Sequence, residues 1–315
     1  MKDKVQRTLE VSNLAFSYGK YTAVKDVSFE VKSGEIFGLL GTNGAGKTTT
    51  LEIVEGFKTA KSGTVRCFGL DPSKSPGAVR SRTGIVLQTS GFFNEMSVQD
   101  TLSWWGSISG RQDREDQVLE SCGLANRARS SVGSLSGGEK RRLDLAMAIW
   151  GSPELIILDE PTTGLDPESR QMLWSLVEQE KGRGASVILT THYLDEAERL
   201  CDRIAIMHEG SIVARGTLEE LRDSGSVTGY ISVQGPREEF DRLVTPMDLT
   251  VANVSGSPEH CRYEFQDTQL EPLTDLIAEI HGSDVLSITE LSIRPRNLDE
   301  IFMGIARGQA GKEEV

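Results

Sequence analysis

Gly41-Thr42-Asn43-Gly44-Ala45-Gly46-Lys47-Thr48 follows the apolar run Ile36-Phe37-Gly38-Leu39-Leu40, and the two together read as a strand, a loop and the start of a helix. Glycines at this spacing let the loop curl with its N–H groups turned inward, and the helix beginning near Lys47 adds its partial positive end. The product is a cradle for phosphate. Lys47 would meet the outer phosphates as a point charge, and the Thr48 hydroxyl is placed to coordinate Mg²⁺. A nucleoside triphosphate is therefore the expected ligand. A P-loop serves many ATPases and GTPases, so the flanking chain has to decide which.

Upstream, Leu9 to Val31 alternates apolar and polar residues around turns at Gly19-Lys20 and Ser33-Gly34. Val27, Phe29 and Val31 share one face of a strand, which predicts an antiparallel sheet beside the P-loop core. Tyr18 ends the first strand, where its ring either stacks on a purine or merely closes a hairpin. Downstream, Thr64 to Phe68 reads as a short strand, and Gly84-Ile85-Val86-Leu87 as another that delivers Gln88, whose amide oxygen could hold a metal or its water. Phe92, Phe93, Met96, Trp104 and Trp105 crowd around a helix start at Ser97, and suit either a helical subdomain's core or a partner surface.

Leu135-Ser136-Gly137-Gly138-Glu139 carries an S-x-x-E capping box, so a helix should begin there with two glycine N–H groups at its positive end. Leu155-Ile156-Ile157-Leu158 then reads as a fully buried strand ending in Asp159-Glu160. One carboxylate is thereby placed beside the P-loop metal, and the other where it could polarise water. After the turn Pro161 to Pro167 and a helix through Leu173 and Leu176, a further buried strand, Val187 to Thr191, brings His192 to the same edge.

In this order the motifs resemble those of the nucleotide-binding subunit of an ATP-binding cassette (ABC) transporter, over about Leu9 to Gly216. The resemblance implies an α/β P-loop NTPase cassette, with a mixed sheet core, an antiparallel β subdomain and a helical subdomain over about 89–150. It implies ATP and Mg²⁺ held by Tyr18, Gly41, Asn43, Gly44, Ala45, Gly46, Lys47, Thr48, Thr49 and Gln88. Asp159, with Thr48 and Gln88, would serve the metal. Glu160 would be the general base, and His192 would contact the γ-phosphate with Lys47 as the third catalytic group. Ser136, Gly137 and Gly138 would act as the signature across a cassette dimer, homomeric or heteromeric, and Asp166 would communicate between the two chains. Thr42 and Glu139 stand where the family often has proline and glutamine; neither removes a backbone phosphate donor, so activity is expected.

Beyond Gly216 the order strand, helix, strand, strand, helix, strand suggests a small α+β, ferredoxin-like module. The domains expected are a cassette over 1–220, an accessory domain over 221–307 and a disordered tail over 308–315. Pro295 to Phe302 resembles the tail of cassettes serving ABC-2-type exporters of the daunorubicin-resistance kind.

At 37% hydrophobic and 26% charged the composition is that of a globular protein, and no apolar run approaches the ~20 residues of a spanning helix. Met1-Lys2-Asp3-Lys4 leads into polar sequence, so no signal peptide is expected and the chain should stay in the cytoplasm, where the resemblance implies a peripheral place on the membrane through its membrane subunits. Cys67, Cys122, Cys201 and Cys261 lack ligand or disulfide spacing and read as reduced packing residues, while a formal charge of −13 argues against a nucleic-acid surface. The reading is an ATPase subunit driving export through separate integral-membrane permease subunits of the ABC-2 type. The alternatives are a soluble ABC-type ATPase without a transport role, against which stand the single P-loop and the lack of a long heptad run, and a module that binds ATP without turnover, which the intact Lys47, Asp159, Glu160 and His192 oppose. In the family, the region after Gln88 forms a groove that receives a cytoplasmic helix of the membrane partner. Phe92 and Phe93 are the contact residues expected there.

Overall fold

Strands that are apolar on both sides need two cores, and this chain builds them on either side of one sheet. The computed structural model describes residues 6–88, 91–222, 226–247, 249–298 and 300–302. The chain forms two compact units, Met1–Thr217 and Leu218–Val315, so the division falls three residues before the expected one.

In the first unit, β1 (Arg7–Tyr18), β2 (Tyr21–Lys32), β3 (Ile36–Gly41), α1 (Lys47–Val54), β4 (Ser62–Cys67), α2 (Pro76–Arg80) and β5 (Thr83–Val86) come first. They are followed by α3 (Val98–Ser109), α4 (Glu115–Ser121), α5 (Gly137–Ile149), β6 (Leu155–Asp159), α6 (Pro167–Gly182), β7 (Ser186–Thr191), α7 (Leu194–Leu200), β8 (Arg203–His208) and β9 (Ser211–Gly216). The central sheet has six strands in the order β5-β6-β7-β3-β8-β9, parallel except for the last pair. A separate antiparallel sheet, β2-β1-β4, is the one expected from the alternation around Val27, Phe29 and Val31.

Successive residues of the central strands alternate between the two cores, because a strand turns consecutive side chains to opposite faces. Leu155, Ile157 and Ile188 pack with α1 and the antiparallel sheet, whereas Ile156, Leu158, Val187 and Leu189 pack with residues of α3 to α6. Helix α3 is capped by Ser97, which accepts from the Asp100 N–H, and α5 begins with the reciprocal box between Ser136 and Glu139. Both starts lie where the sequence placed them.

The aromatic stretch after Gln88 divides differently from the expectation. Phe92 packs against the helical core together with Trp105, whose indole N–H donates to the Met147 carbonyl at 2.6 Å. Trp104, not Phe92, joins Phe93 on the surface, and the two rings meet edge to face with centroids 5.8 Å apart. The reason is position on α3: Trp104 and Trp105 are neighbours in a helix and must point about 100° apart, so only one can reach the core.

The second unit runs α8 (Leu218–Arg222), β10 (Ser226–Gln234), α9 (Arg237–Val244), β11 (Val251–Ser257), β12 (His260–Gln269), α10 (Leu270–His281) and β13 (Ser287–Pro295). Its antiparallel sheet has the order β11-β12-β10-β13, the ferredoxin-like arrangement, around a core that includes Ile231, Phe240, Tyr263, Phe265 and Leu276. Strands β10 and β12 are longer than the expected Tyr230 to Val233 and Arg262 to Phe265, because backbone pairing continues through polar residues past the apolar alternation. The expected tail over 308–315 lies outside the described residues. All four cysteines are free, and Cys67, Cys122 and Cys261 are buried.

Candidate functional site

Four parallel neighbours of the central sheet end at one edge. In spatial order, β5 delivers Leu87 and Gln88, β6 delivers Asp159 and Glu160, β7 delivers His192, and β3 delivers the loop from Gly41. Ligands of open α/β sheets lie at such carboxyl edges. The cleft there has a volume of about 480 Å³ and is lined by Tyr18, Asn43 to Thr49, Gln88, Glu160 and His192. Tyr21, Ala23 and Thr163 line it too, and the sequence reading had not singled them out for it. Tyr21 was within reach: the two-residue turn Gly19-Lys20 makes it the cross-strand partner of Tyr18, and such partners share a face.

The loop has its shape because side chains would break it. Gly46 has φ +102°, and a Cβ there would lie 2.4 Å from the Ala23 carbonyl oxygen. Only glycine satisfies both conditions. Lys47, the first residue of α1, is buried; its Nζ donates to the carbonyls of Gly41 at 2.8 Å and Thr42 at 3.3 Å, and lies 3.6 Å from Glu160 Oε1. Burial holds its pKa below the usual lysine range, and the carboxylates of Glu160 and Asp159 oppose that shift. Thr48 is exposed, and Thr49 shares a hydrogen bond of 3.3 Å with the Tyr18 hydroxyl.

Glu160 is the convergence point of the edge. Its Oε2 accepts from the Thr163 hydroxyl at 3.3 Å and lies 3.3 Å from His192 Nδ1. Its backbone is left-handed, φ +47°, which turns the side chain of a residue just past a buried strand into the cleft. Register explains the neighbouring carboxylate: Asp159 pairs with Thr190 across β6 and β7, and the Thr190 hydroxyl donates to Asp159 Oδ1.

Of the three oxygen donors expected to serve Mg²⁺, Thr48 and Gln88 line the cleft, whereas Asp159 is buried at the end of β6 and does not; oxygen donors suit such a hard cation. Among the described residues, no cluster of three His, Cys, Asp or Glu side chains forms a cage for a metal by itself. That pattern suits an ion whose remaining ligands are phosphate oxygens and water.

Ser136, Gly137, Gly138 and Asp166 do not line this cleft. Gly138 instead adjoins the cap of α6: Asp166 accepts from the Ser169 N–H at 2.9 Å and the Ser169 hydroxyl at 2.7 Å, and a Cβ on Gly138 would crowd that hydroxyl oxygen. The Ser169 N–H, and then its hydroxyl, hold the Asp166 carboxyl below the usual carboxylate range. Glu139, the acidic departure, closes the capping box with the Ser136 N–H at 2.8 Å and pairs with Arg127 at 3.0 Å. The backbone bond to Ser136 is the main reason its pKa is lowered.

Comparison with known proteins is consistent throughout. A family model described as ABC transporter matches residues 24–163. The linearmycin resistance ATP-binding protein LnrL of Bacillus subtilis (strain 168) is 35% identical over 306 residues, which cover 94% of this chain and 97% of that protein. A Nod factor export ATP-binding protein I of Burkholderia orbicola (strain AU 1054) is 35% identical over 300 residues, 94% of this chain and 95% of its own. Among solved structures, an ATP-binding subunit of an ABC transporter superposes with a TM-score of 0.64 at 31% identity, covering 68% of this chain and 92% of that one. An ATP-binding cassette of an ABC transporter in its ADP conformation gives 0.61 at 27% identity, with coverage of 68% and 92%. The sequence relatives thus extend through the second unit.

Proposed function

The chain belongs to the ABC transporter family and is an ATPase, and from that premise we propose that it is the subunit that powers an exporter, with separate membrane subunits carrying the cargo. The observation that supports catalysis best is the Glu160 carboxylate, set between Lys47 and His192 in the cleft. In this reading the loop N–H groups and Lys47 hold the triphosphate while Tyr18 stacks on the base. Glu160 takes a proton from a water as its oxygen bonds to the γ-phosphorus, and the bond to the leaving ADP oxygen breaks. His192 orients the γ-phosphate. Thr48, Gln88 and Asp159 would hold Mg²⁺, which neutralises phosphate charge when bound.

Export is supported by relatives named for Nod factor export and linearmycin resistance, and the ABC-2 type of the partner by the likeness of the segment Pro295 to Phe302 to the tails of such cassettes. A dimer of cassettes is supported by the separation of two anion-binding ends, the cradle at Gly41 to Thr48 and the capped end at Ser136, only the first of which lines the cleft. Among the described residues no helix is long and apolar enough to cross a membrane, so the work of hydrolysis has to leave through a surface. The exposed pair Phe93 and Trp104 is the surface we assign to the membrane partner. The second unit is assigned a regulatory or dimer-stabilising role, motivated by its place after a cassette with every motif present.

Purification of the full chain from its native membranes tests the proposal. An integral membrane protein should accompany two cassettes, and the reconstituted complex should couple Mg²⁺-dependent ATP hydrolysis to transport. A chain that hydrolyses ATP yet brings no membrane protein would favour the soluble, non-transport alternative, and one cassette per complex would refute the dimer.

A further inference from the structure

Arg141 lies on α5, three residues past Gly138, and only 8% of it is exposed. A buried guanidinium must place its N–H groups on acceptors. Here they go to main-chain carbonyls. Nε donates to Pro161 at 2.7 Å, Nη1 to Leu87 at 2.6 Å, and Nη2 to both Asp159 and Glu160 at 3.1 Å. Asp144, 3.7 Å from Nη1, is the nearby carboxylate.

Those four carbonyls lie at the ends of two separate strands. Leu87 immediately precedes Gln88 at the end of β5, whereas Asp159, Glu160 and Pro161 are consecutive at the end of β6. Glu160 also occupies the left-handed region, which a residue with a side chain keeps only where its surroundings over-determine it. The surroundings do so from two directions. The Glu160 N–H donates to the Thr190 carbonyl at 3.1 Å and to its hydroxyl at 3.0 Å, which fixes the peptide before Glu160. Arg141 holds the carbonyls of that same peptide and of the next two. A lysine ammonium in this place would keep the charge but lose the planar fork that reaches both strand ends at once.

We propose that Arg141 is a positioning residue: by clamping these carbonyls it holds the Glu160 carboxylate in the cleft and locks the start of the Gln88 loop to helix α5. The proposal rests on the reading of Glu160 as the general base. It also makes α5, the helix that opens with Ser136-Gly137-Gly138, mechanically continuous with the catalytic edge. A shift of that helix is then transmitted to the base and to Gln88 together.

The test uses the full-length chain carrying Arg141→Lys. ATP turnover should fall roughly 10- to 10²-fold, because small misplacements of a reacting group have effects of that order, while KM and the affinity for a fluorescent ATP analogue stay within about 2-fold. Amide exchange should quicken in peptides spanning residues 157–165 and 84–88, with α1 unchanged. In a Glu160→Gln background the same substitution should change residual turnover by less than about 2-fold, since one residue acts through the other. Equal losses of affinity and turnover, or additivity with Glu160→Gln, would mean a merely structural arginine and overturn the claim. So would turnover and exchange like the wild type. A wild-type chain that hydrolyses no ATP, alone or with its membrane partner, would sink the functional reading, and the exchange measurement then decides the role of Arg141 by itself.

Discussion

Replacing Glu160 with glutamine removes a proton acceptor and little else. Gln has the same size, and its amide oxygen can still accept from the Thr163 hydroxyl, now at 3.3 Å. Lys47 loses its carboxylate neighbour at 3.6 Å but keeps the Gly41 and Thr42 carbonyls, so the cradle stays formed. ATP affinity should hold or tighten, because a negative charge facing the triphosphate is gone. A general base contributes roughly 10²- to 10⁴-fold, or about 2.7–5.4 kcal/mol of barrier. The expected loss is at least about 10²-fold, the lower end of that range. Single-turnover hydrolysis of radiolabelled ATP measures this, with nucleotide binding followed separately. Turnover within about 3-fold of the wild type would refute the argument, since no general base can be lost so cheaply.

The fully buried Glu196 accepts from the Thr162 hydroxyl at 3.0 Å and the Trp174 indole at 2.9 Å, and burial raises its pKa above the ordinary 4.5 against the pull of those hydrogen bonds. Because the folded chain then holds that proton more tightly than the unfolded one, this contribution to stability is full below 4.5 and declines as pH rises towards the folded value. Glu196→Gln should therefore gain in Tm relative to the wild type as pH increases, and parallel melting curves across pH would contradict it. Phe93→Ala with Trp104→Ala should weaken assembly with the membrane subunits more than about 10-fold, at ~2 kcal/mol for an aromatic anchor, and spare ATP binding by the isolated chain. Unfolding of that double variant in thermal melts would place the rings in the core instead. A chain ending at Thr217 retains both cores of the first unit and should stay soluble and bind ATP; aggregation, or a loss of nucleotide binding, would show that the second unit is needed for the fold.

Local rules made much of this protein readable in one dimension. The glycines of the cradle, the capping box at Ser136 and Glu139, and the apolar run before Asp159 each work within a few residues, and each forms where the pattern put it. Alternation alone identified strands such as Val27 to Val31, and the order of elements in the second unit was enough to suggest its fold.

What the sequence could not decide depends on which segments meet after long connections. Strand β7 lies between β6 and β3, although β3 precedes it by some 150 positions, and only that order brings Thr190 onto Asp159 and His192 onto Glu160. Asp166 reads as a communicating loop residue, yet within this chain its carboxylate caps α6, because the hydroxyl and N–H of Ser169 fall within its reach. The aromatic cluster shows the same limit: composition marks Phe92, Phe93, Trp104 and Trp105 as notable, and the rotation of α3 sends Trp105 inward and Trp104 out. Arg141 carried no signal at all, since its partners are backbone carbonyls, which every residue has and no sequence pattern distinguishes. Periodicity encodes the face a side chain takes on its own element, whereas the neighbour across that face is set by tertiary packing.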